Sequence, residues 1–164
     1  MKEKIIKNGK ELMPYIIILI VVVLVRTFIA TPIKVNGNSM YNTLDGSEFM
    51  ILNKLAKIDR YNIVVVDTKD DELIKRVYGL PGERISIENN NIYINDKKVD
   101  DIYAYGTTSD YESIVLGDDE YFVLGDNRTI SLDSRVIGPV KKSQIKGTTR
   151  FIIYPFNRFG FLKK

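Results

Sequence analysis

The chain has 164 residues, 24 Lys and Arg against 21 Asp and Glu, a net charge of +3, and neither histidine nor cysteine. Disulfides, thiolate chemistry and any Ser-His-Asp triad are thereby excluded; the usual zinc ligands are missing too, so neither a metal nor a cofactor is expected. Five of the basic and two of the acidic side chains fall within residues 1–26, leaving the remainder neutral. A nucleic-acid binder carries its excess positive charge in its folded part, so no nucleic-acid partner is expected.

Taken in chain order, residues 1–11 carry Lys2, Lys4, Lys7 and Lys10 against Glu3 and Glu11. Leu12 to Val25 is then apolar apart from Pro14 and Tyr15. Extended to Ala30 the run would span about 28 Å as a helix, close to the ~30 Å hydrocarbon core of a bilayer. Arg26 falls near its end, where a long side chain snorkels into the headgroups. Pro14 falls in the first turn of the apolar run, where it costs least. The reading is a transmembrane anchor over 12–30. The alternative is a cleaved signal peptide ending at Ala30, against which Phe28 and Pro32 count. Lysines ahead of the run keep the N-terminus cytoplasmic, which places 31–164 outside the membrane.

From Ile33 onward, short strand patterns alternate with turn signals. Ile63–Val66 and Leu73–Tyr78 read as strands, as do Glu120–Leu124 and Thr148–Tyr154. Arg84–Ile87 and Asn91–Ile94 alternate around Glu88-Asn89-Asn90, a hairpin turn. Residues 96–120 are acidic and weakly periodic, and read as a surface excursion or small flexible subdomain. After the anchor, helical character amounts to no more than a turn or two, near Ser39 and at Lys141–Ile145. The fold class is mainly β: an N-terminal transmembrane helix followed by a β-rich ectodomain.

Three islands stand out. The first is Val35-Asn36-Gly37-Asn38-Ser39-Met40 with Thr43-Leu44, directly after the apolar run. The second is Lys75-Arg76-Val77-Tyr78-Gly79-Leu80-Pro81-Gly82, and the third is Gly125-Asp126-Asn127-Arg128 continuing through Ser131, Asp133, Ser134 and Arg135. A serine attacks a carbonyl only if a base removes its proton, and without histidine that base is Lys, Asp, Glu or Tyr. Lys75 is the candidate. A free lysine has a pKa near 10.4, and about 3 kcal/mol of burial brings it to about 8, where it works as a base. On a strand it shares a face with Leu73 and Val77, which directs it toward the core. Taken singly, Ser39 also fits a turn or cap serine, Lys75 an exposed strand lysine, and Gly79–Gly82 a structural turn.

Together, and in this order behind an anchor, the islands resemble the motif boxes of bacterial type I signal peptidases, membrane-anchored proteases with a Ser-Lys dyad. The eukaryotic branch of that family has His in place of the lysine. The resemblance implies Ser39 as nucleophile and Lys75 as general base. It implies Ser131 as the serine that hydrogen-bonds and positions the lysine, Asp133 and Arg135 as a bracing pair, and Arg76 and Asp126 as supports. Asp133 also reads as a plain structural ion-pair partner of Arg135 or Arg128. The chain departs from the pattern at Asn42, where the family has Pro, and at Ser47 and Asn62, where Asp is common. Gly37 lacks the hydroxyl with which some members bind the oxyanion, leaving the Ser39 backbone N–H and an unidentified second donor.

The function implied is removal of N-terminal signal peptides from exported preproteins at the outer face of the cell membrane, with small side chains accepted three and one residues before the cut. The partners implied are preproteins, membrane lipid and secretion or pilus-assembly machinery. Specialisation for pilins is a further option. A non-catalytic pilus-assembly relative is disfavoured because such relatives lack the serine or the lysine. A self-cleaving repressor is disfavoured by the anchor and the missing DNA-binding helices. The basic, aromatic segment from Arg150 to Lys164 reads as a core strand with a tail, or as a surface that dips into the outer leaflet.

Overall fold

β-branched residues punctuated by Gly, Asn and Asp favour short strands after the opening helix. The computed structural model describes the backbone of residues 2–69 and 71–162 and the side chains from residue 12 onward. In order it holds α1 (Lys2–Phe28), β1 (Ala30–Lys34), β2 (Phe49–Asn53), β3 (Ile63–Asp67), β4 (Glu72–Gly79), β5 (Arg84–Glu88) and β6 (Asn91–Ile94). There follow β7 (Lys97–Val99), β8 (Tyr111–Val115), β9 (Glu120–Leu124), α2 (Ser134–Ile137), β10 (Val140–Lys141), β11 (Ile145–Tyr154) and β12 (Gly160–Phe161). The chain is mainly β, as its patterning implies.

An eight-stranded antiparallel sheet runs β1-β2-β11-β3-β4-β9-β10, with β12 on β11; a second sheet runs β7-β6-β5-β8. The Asn89-Asn90 turn between β5 and β6 has φ of 50° and 66°, the left-handed pair of a type I′ hairpin. Residues 96–120 depart from expectation. β7 and β8 within them pair with β6 and β5, so the appendage begins at Arg84, where the alternation was already plain. Its apolar face, Ile85, Ile87, Ile92 and Ile94, packs on Tyr78, Phe122 and Leu124 from β4 and β9 of the main sheet.

α1 exposes every described side chain from Leu12 to Phe28. Among the described residues no helix is long and apolar enough to cross a membrane; residues 12–28 alone would reach about 25 Å. The span expected over 12–30 is therefore not established by this helix, whose last residue is Phe28, with Ala30 already in β1. Met1, the lysines of residues 2–11, Lys163 and Lys164 lie outside the described residues or side chains. The join between helix and sheet is tight. Lys54 Nζ donates to the carbonyls of Arg26 and Thr27 (3.2 and 2.8 Å), and Thr31 Oγ1 donates to Arg26 O at 2.7 Å. A cation on the terminal carbonyls is what a helix C-terminus favours. β1 then pairs along its length with β2 and delivers the chain to the turn that carries Ser39.

β11 tolerates its place between β2 and β3 because Gly147 bulges at φ 155°, where a Cβ would lie 2.5 Å from Asn53 O. That clash is with backbone and cannot be relieved by a rotamer change. Gly147→Ala should cost about 2–3 kcal/mol and lower Tm by roughly 5–10 °C. Gly138→Ala, at φ 77° but facing open space, should cost about 1 kcal/mol. Thermal unfolding of the two variants side by side checks the ranking.

Candidate active site

Residue 39 lies in a turn rather than a helix. Tyr41 N donates to Asn38 O, and Thr43 N and Leu44 N both donate to Met40 O (2.9 and 2.8 Å). Met40 and Leu44 fill the pocket made by Val35, Met50, Ile63 and Ile152, which fixes the turn and leaves Ser39 at its rim.

Lys75 comes from the middle of β4. Its register partner is Val64, and alternation puts it on the face of Leu73 and Val77, which pack with Val64 and Val66. It is 2% exposed. Its Nζ lies 2.8 Å from Ser39 Oγ and 3.0 Å from Ile74 O. Burial pushes this amine down to about 8, against the pull of Asp133, Asp126 and Asp71. An amine with that pKa and that neighbour can take a proton from a hydroxyl.

The third island wraps both. Asn127 N donates to Ser39 O at 3.0 Å. Gly125 N donates to Asp133 Oδ2 at 3.0 Å, and a Cβ on Gly125 would sit 2.1 Å from Ser131 Oγ and 2.6 Å from Ser39 O. Only glycine permits that approach of the two segments. Asp133 caps α2 and accepts from Arg135 Nε and Nη2, both at 2.9 Å. Arg135 Nη2 also donates to Arg128 O at 2.8 Å. Arg76 grips Asp126 with Nε and Nη2 (2.9 and 2.6 Å) and donates to Tyr61 O and Thr43 Oγ1. The sequence-derived residues Ser39, Lys75, Arg76, Asp126, Ser131, Asp133 and Arg135 are thus brought into one locality. The bond expected from Ser131 to Lys75 is not made in this structure: Ser131 Oγ is buried with no hydrogen-bond partner.

Among the alternative bases, Asp126 and Asp133 are each engaged by an arginine. Tyr78 is fully buried, burial raises its phenol well above the ordinary tyrosine value, and its hydroxyl is bonded to both Asp101 and Arg128. Sequence reasoning missed this Tyr78–Asp101–Arg128 cluster, which Thr108 joins through Arg128. Asp101 sits in the acidic stretch read as surface, and an aspartate alone gave no sign of a buried partner.

A cleft of about 170 Å³, which includes neither Ser39 nor Lys75, is lined by Ile33 and Lys34 of β1, Val65 of β3, Glu72 and Ile74 of β4, and by Asn36 and Asp71. A larger cavity of about 610 Å³, walled by Arg60, Tyr61, Arg76, Tyr103 and Arg150, includes neither Ser39 nor Lys75. Among the described residues no group of carboxylates is arranged to hold a metal ion.

Comparison with known proteins identifies the family. The model of the family described as "Signal peptidase, peptidase S26" matches residues 9–154. Signal peptidase I S of Bacillus subtilis (strain 168) is 36% identical over 96% of this chain and 97% of its own. A signal peptidase I of Bacillus caldolyticus is 38% identical, with 94% and 96% covered. The crystal structure of a signal peptidase I from Enterococcus faecalis V583 aligns with a TM-score of 0.51 at 28% identity, covering 57% of this chain and 97% of that one.

The buried amine has a consequence for stability. Unfolded, Lys75 holds its proton to about pH 10.4; folded, it releases it near 8. The unfolded state therefore binds more protons between those values, and stability rises with pH across that window. At pH 7 burying the cation costs about 3 kcal/mol. Lys75→Met should raise Tm at pH 7, and its advantage should shrink toward pH 10.5. Thermal unfolding of both proteins across pH 7–10.5 measures it; a pH-independent difference contradicts the assignment.

Proposed function

The chain belongs to the S26 family of signal peptidases and is a serine endopeptidase that cleaves signal peptides, and we propose that it does so with Ser39 as nucleophile and Lys75 as general base. The observation that carries this reading is the 2.8 Å contact between Lys75 Nζ and Ser39 Oγ, made by an amine that burial holds near pKa 8.

The neutral amine donates one N–H to Ile74 O and presents its lone pair to the Ser39 hydroxyl. As Ser39 Oγ attacks the scissile carbonyl, Lys75 takes its proton and then gives it to the departing amine of the mature protein. Water, deprotonated by the same lysine, then attacks the acyl carbon, and the lysine returns that proton to Ser39 Oγ as the ester bond breaks. Ser131 Oγ is buried and unpartnered, so it is free to accept from the ammonium in that interval. Asp133 and Asp126, each paired with its own arginine, hold the third island in place rather than exchanging protons.

The membrane placement belongs to the same reading. Exposed aliphatic side chains cover α1 from Ile16 to Val25, and a helix apolar all round belongs in a bilayer or a protein core. Phe156, Phe159 and Phe161 are 80%, 60% and 68% exposed, with Leu55 at 70%, a set of side chains suited to the outer leaflet. The substrate's own apolar segment would be presented from that leaflet, at the extracytoplasmic face.

Ser39→Ala and Lys75→Ala should each abolish cleavage of a preprotein at a mapped site, and the double variant should be no worse than either, because the pair acts as one unit. The acidic limb of kcat/KM should fall near pH 8. The α-amino group titrates in the same range, so the limb should persist when that amine is blocked by acetylation. A limb near pH 4–5, or normal turnover by Lys75→Ala, would falsify the dyad.

Ser131→Ala removes a hydroxyl that makes no bond in the resting structure. It should leave Tm unchanged or slightly higher while lowering kcat at least tenfold and keeping the limb. Loss of stability in step with activity would mean that Ser131 serves packing alone.

A further inference from the structure

Residues 156–162 fold back over the turn that carries Ser39, and one side chain there makes contacts the dyad does not require. Arg158 Nη2 donates to Thr43 O at 2.9 Å, across 115 positions of sequence. Its Nη1 lies 2.6 Å from Glu48 Oε1, and Glu48 is 1% exposed. Burial pushes that carboxyl up and Arg158 holds it back. Glu48 is itself built into the same turn, since its carbonyl accepts Val35 N and its Oε2 accepts Asp45 N. Leu162, from the same returning segment, packs on the cluster of Val35, Met40 and Leu44.

Thr43 is therefore held from two sides. Its hydroxyl donates to the Asp126 carboxylate and accepts from Arg76, the residue after Lys75. Its carbonyl is held by Arg158. Between these anchors the backbone of residues 40–44 is closed on Met40 O, one residue after Ser39. We propose that Arg158 is a positioning residue for the nucleophile: by fixing the Thr43 carbonyl against the buried Glu48 carboxylate, it sets the turn that keeps Ser39 Oγ at hydrogen-bonding distance from Lys75. The inference rests on Ser39 acting as nucleophile. Arg158 makes no contact with Lys75, so it acts on where the hydroxyl stands and leaves the base unaltered. Misplacement of a reacting atom by about 1 Å costs on the order of 100-fold in rate, so the effect belongs in kcat.

The two contacts of Arg158 separate stability from positioning. Removing the guanidinium leaves the Glu48 carboxylate buried without its charge partner, which lowers Tm. Exchanging Glu48 for Gln in that background removes the buried charge and restores Tm, but leaves the Thr43 carbonyl unheld. The experiment compares Arg158→Ala, Arg158→Lys and the double variant Arg158→Ala with Glu48→Gln in the full chain. For each, kcat and KM on one preprotein, the pH profile and Tm are measured. Arg158→Ala should lose at least tenfold in kcat with KM within about twofold and the acidic limb unmoved. The double variant should regain Tm and stay slow, while Arg158→Lys, which keeps a donor and a charge, should regain most of kcat. If kcat tracks Tm through the set, or only KM changes, the inference is overturned and Arg158 is a structural ion pair. Lys75→Ala assayed alongside keeps the two readings apart. Full activity there sinks the dyad, whereas normal kcat in Arg158→Ala beside an inactive Lys75→Ala sinks only the role of Arg158.

Discussion

As the proposed base, Lys75 has to be neutral, and a neutral lysine cannot share buried surroundings with an uncommitted carboxylate. At about 4 Å and an effective dielectric near 20, a free carboxylate favours the ammonium by about 4 kcal/mol, or about three pKa units. That is as large as the depression to about 8 that burial gives Lys75. Yet Asp133 and Asp126 both act on this amine, and both are fully buried. What resolves the conflict is that each of these two buried carboxylates already has a cation, while the third, Asp71, is exposed and screened by water. Arg135 takes Asp133 in two bonds and Arg76 takes Asp126 in two. The two ion pairs are expensive to bury, and their use is to leave Lys75 dominated by desolvation.

This requirement shapes the backbone around it. Consecutive residues on a strand point to opposite faces, so β4 sends the Lys75 amine to one side of the sheet and the Arg76 guanidinium to the other. The segment from Gly125 to Arg135 has to supply a partner to each face, which it does by leaving β9, passing Asp126 to Arg76 and returning as the cap of α2. It meets the serine's backbone at Gly125, where a side chain would not fit, and at Asn127, whose N–H donates to Ser39 O. Arg128 then ties the same segment outward, to Asp101 and Tyr78, so the small sheet packed on β4 and β9 buttresses the loop as well as covering apolar surface.

Local pattern carried much of this. Alternation and β-branching located the strands from Ile63 to Ile94, and Asn89-Asn90 between alternating runs marked a hairpin because few residues accept positive φ twice in succession. The candidate site residues stood out only as three islands taken together, since no spacing within one of them reports on another. β2 (Phe49–Asn53) passed unremarked, although its burial alternates, because its apolar run Phe-Met-Ile-Leu does not. Contacts between positions far apart in sequence left no local trace at all. Asp101 with Arg128, and Glu48 with Arg158, look like ordinary surface charges until the fold brings them together. Ser131 shows the converse: the motif identifies the residue, but its hydroxyl lacks a resting partner, which only coordinates reveal.

The route from α1 to Ser39 has little slack. The helix ends on Lys54 and Thr31, β1 begins at Ala30, and its five residues, about 17 Å long, are paired in register with β2 throughout. Val35 then enters the core with Met40 and Leu44. From the other direction, β11 pairs with β2, and the segment after it returns to Thr43 and Glu48. With α1 in the bilayer, as proposed, and the aromatic residues of that segment at its surface, both supports of the serine turn are referenced to the membrane. A flexible linker would let the hydroxyl range over many heights and charge each turnover the entropy of finding the cut. A paired strand settles that height during folding. On that placement, a substrate whose apolar segment is held in the same leaflet would meet the proposed nucleophile at one level, and depth in the membrane would be part of how the cut is chosen.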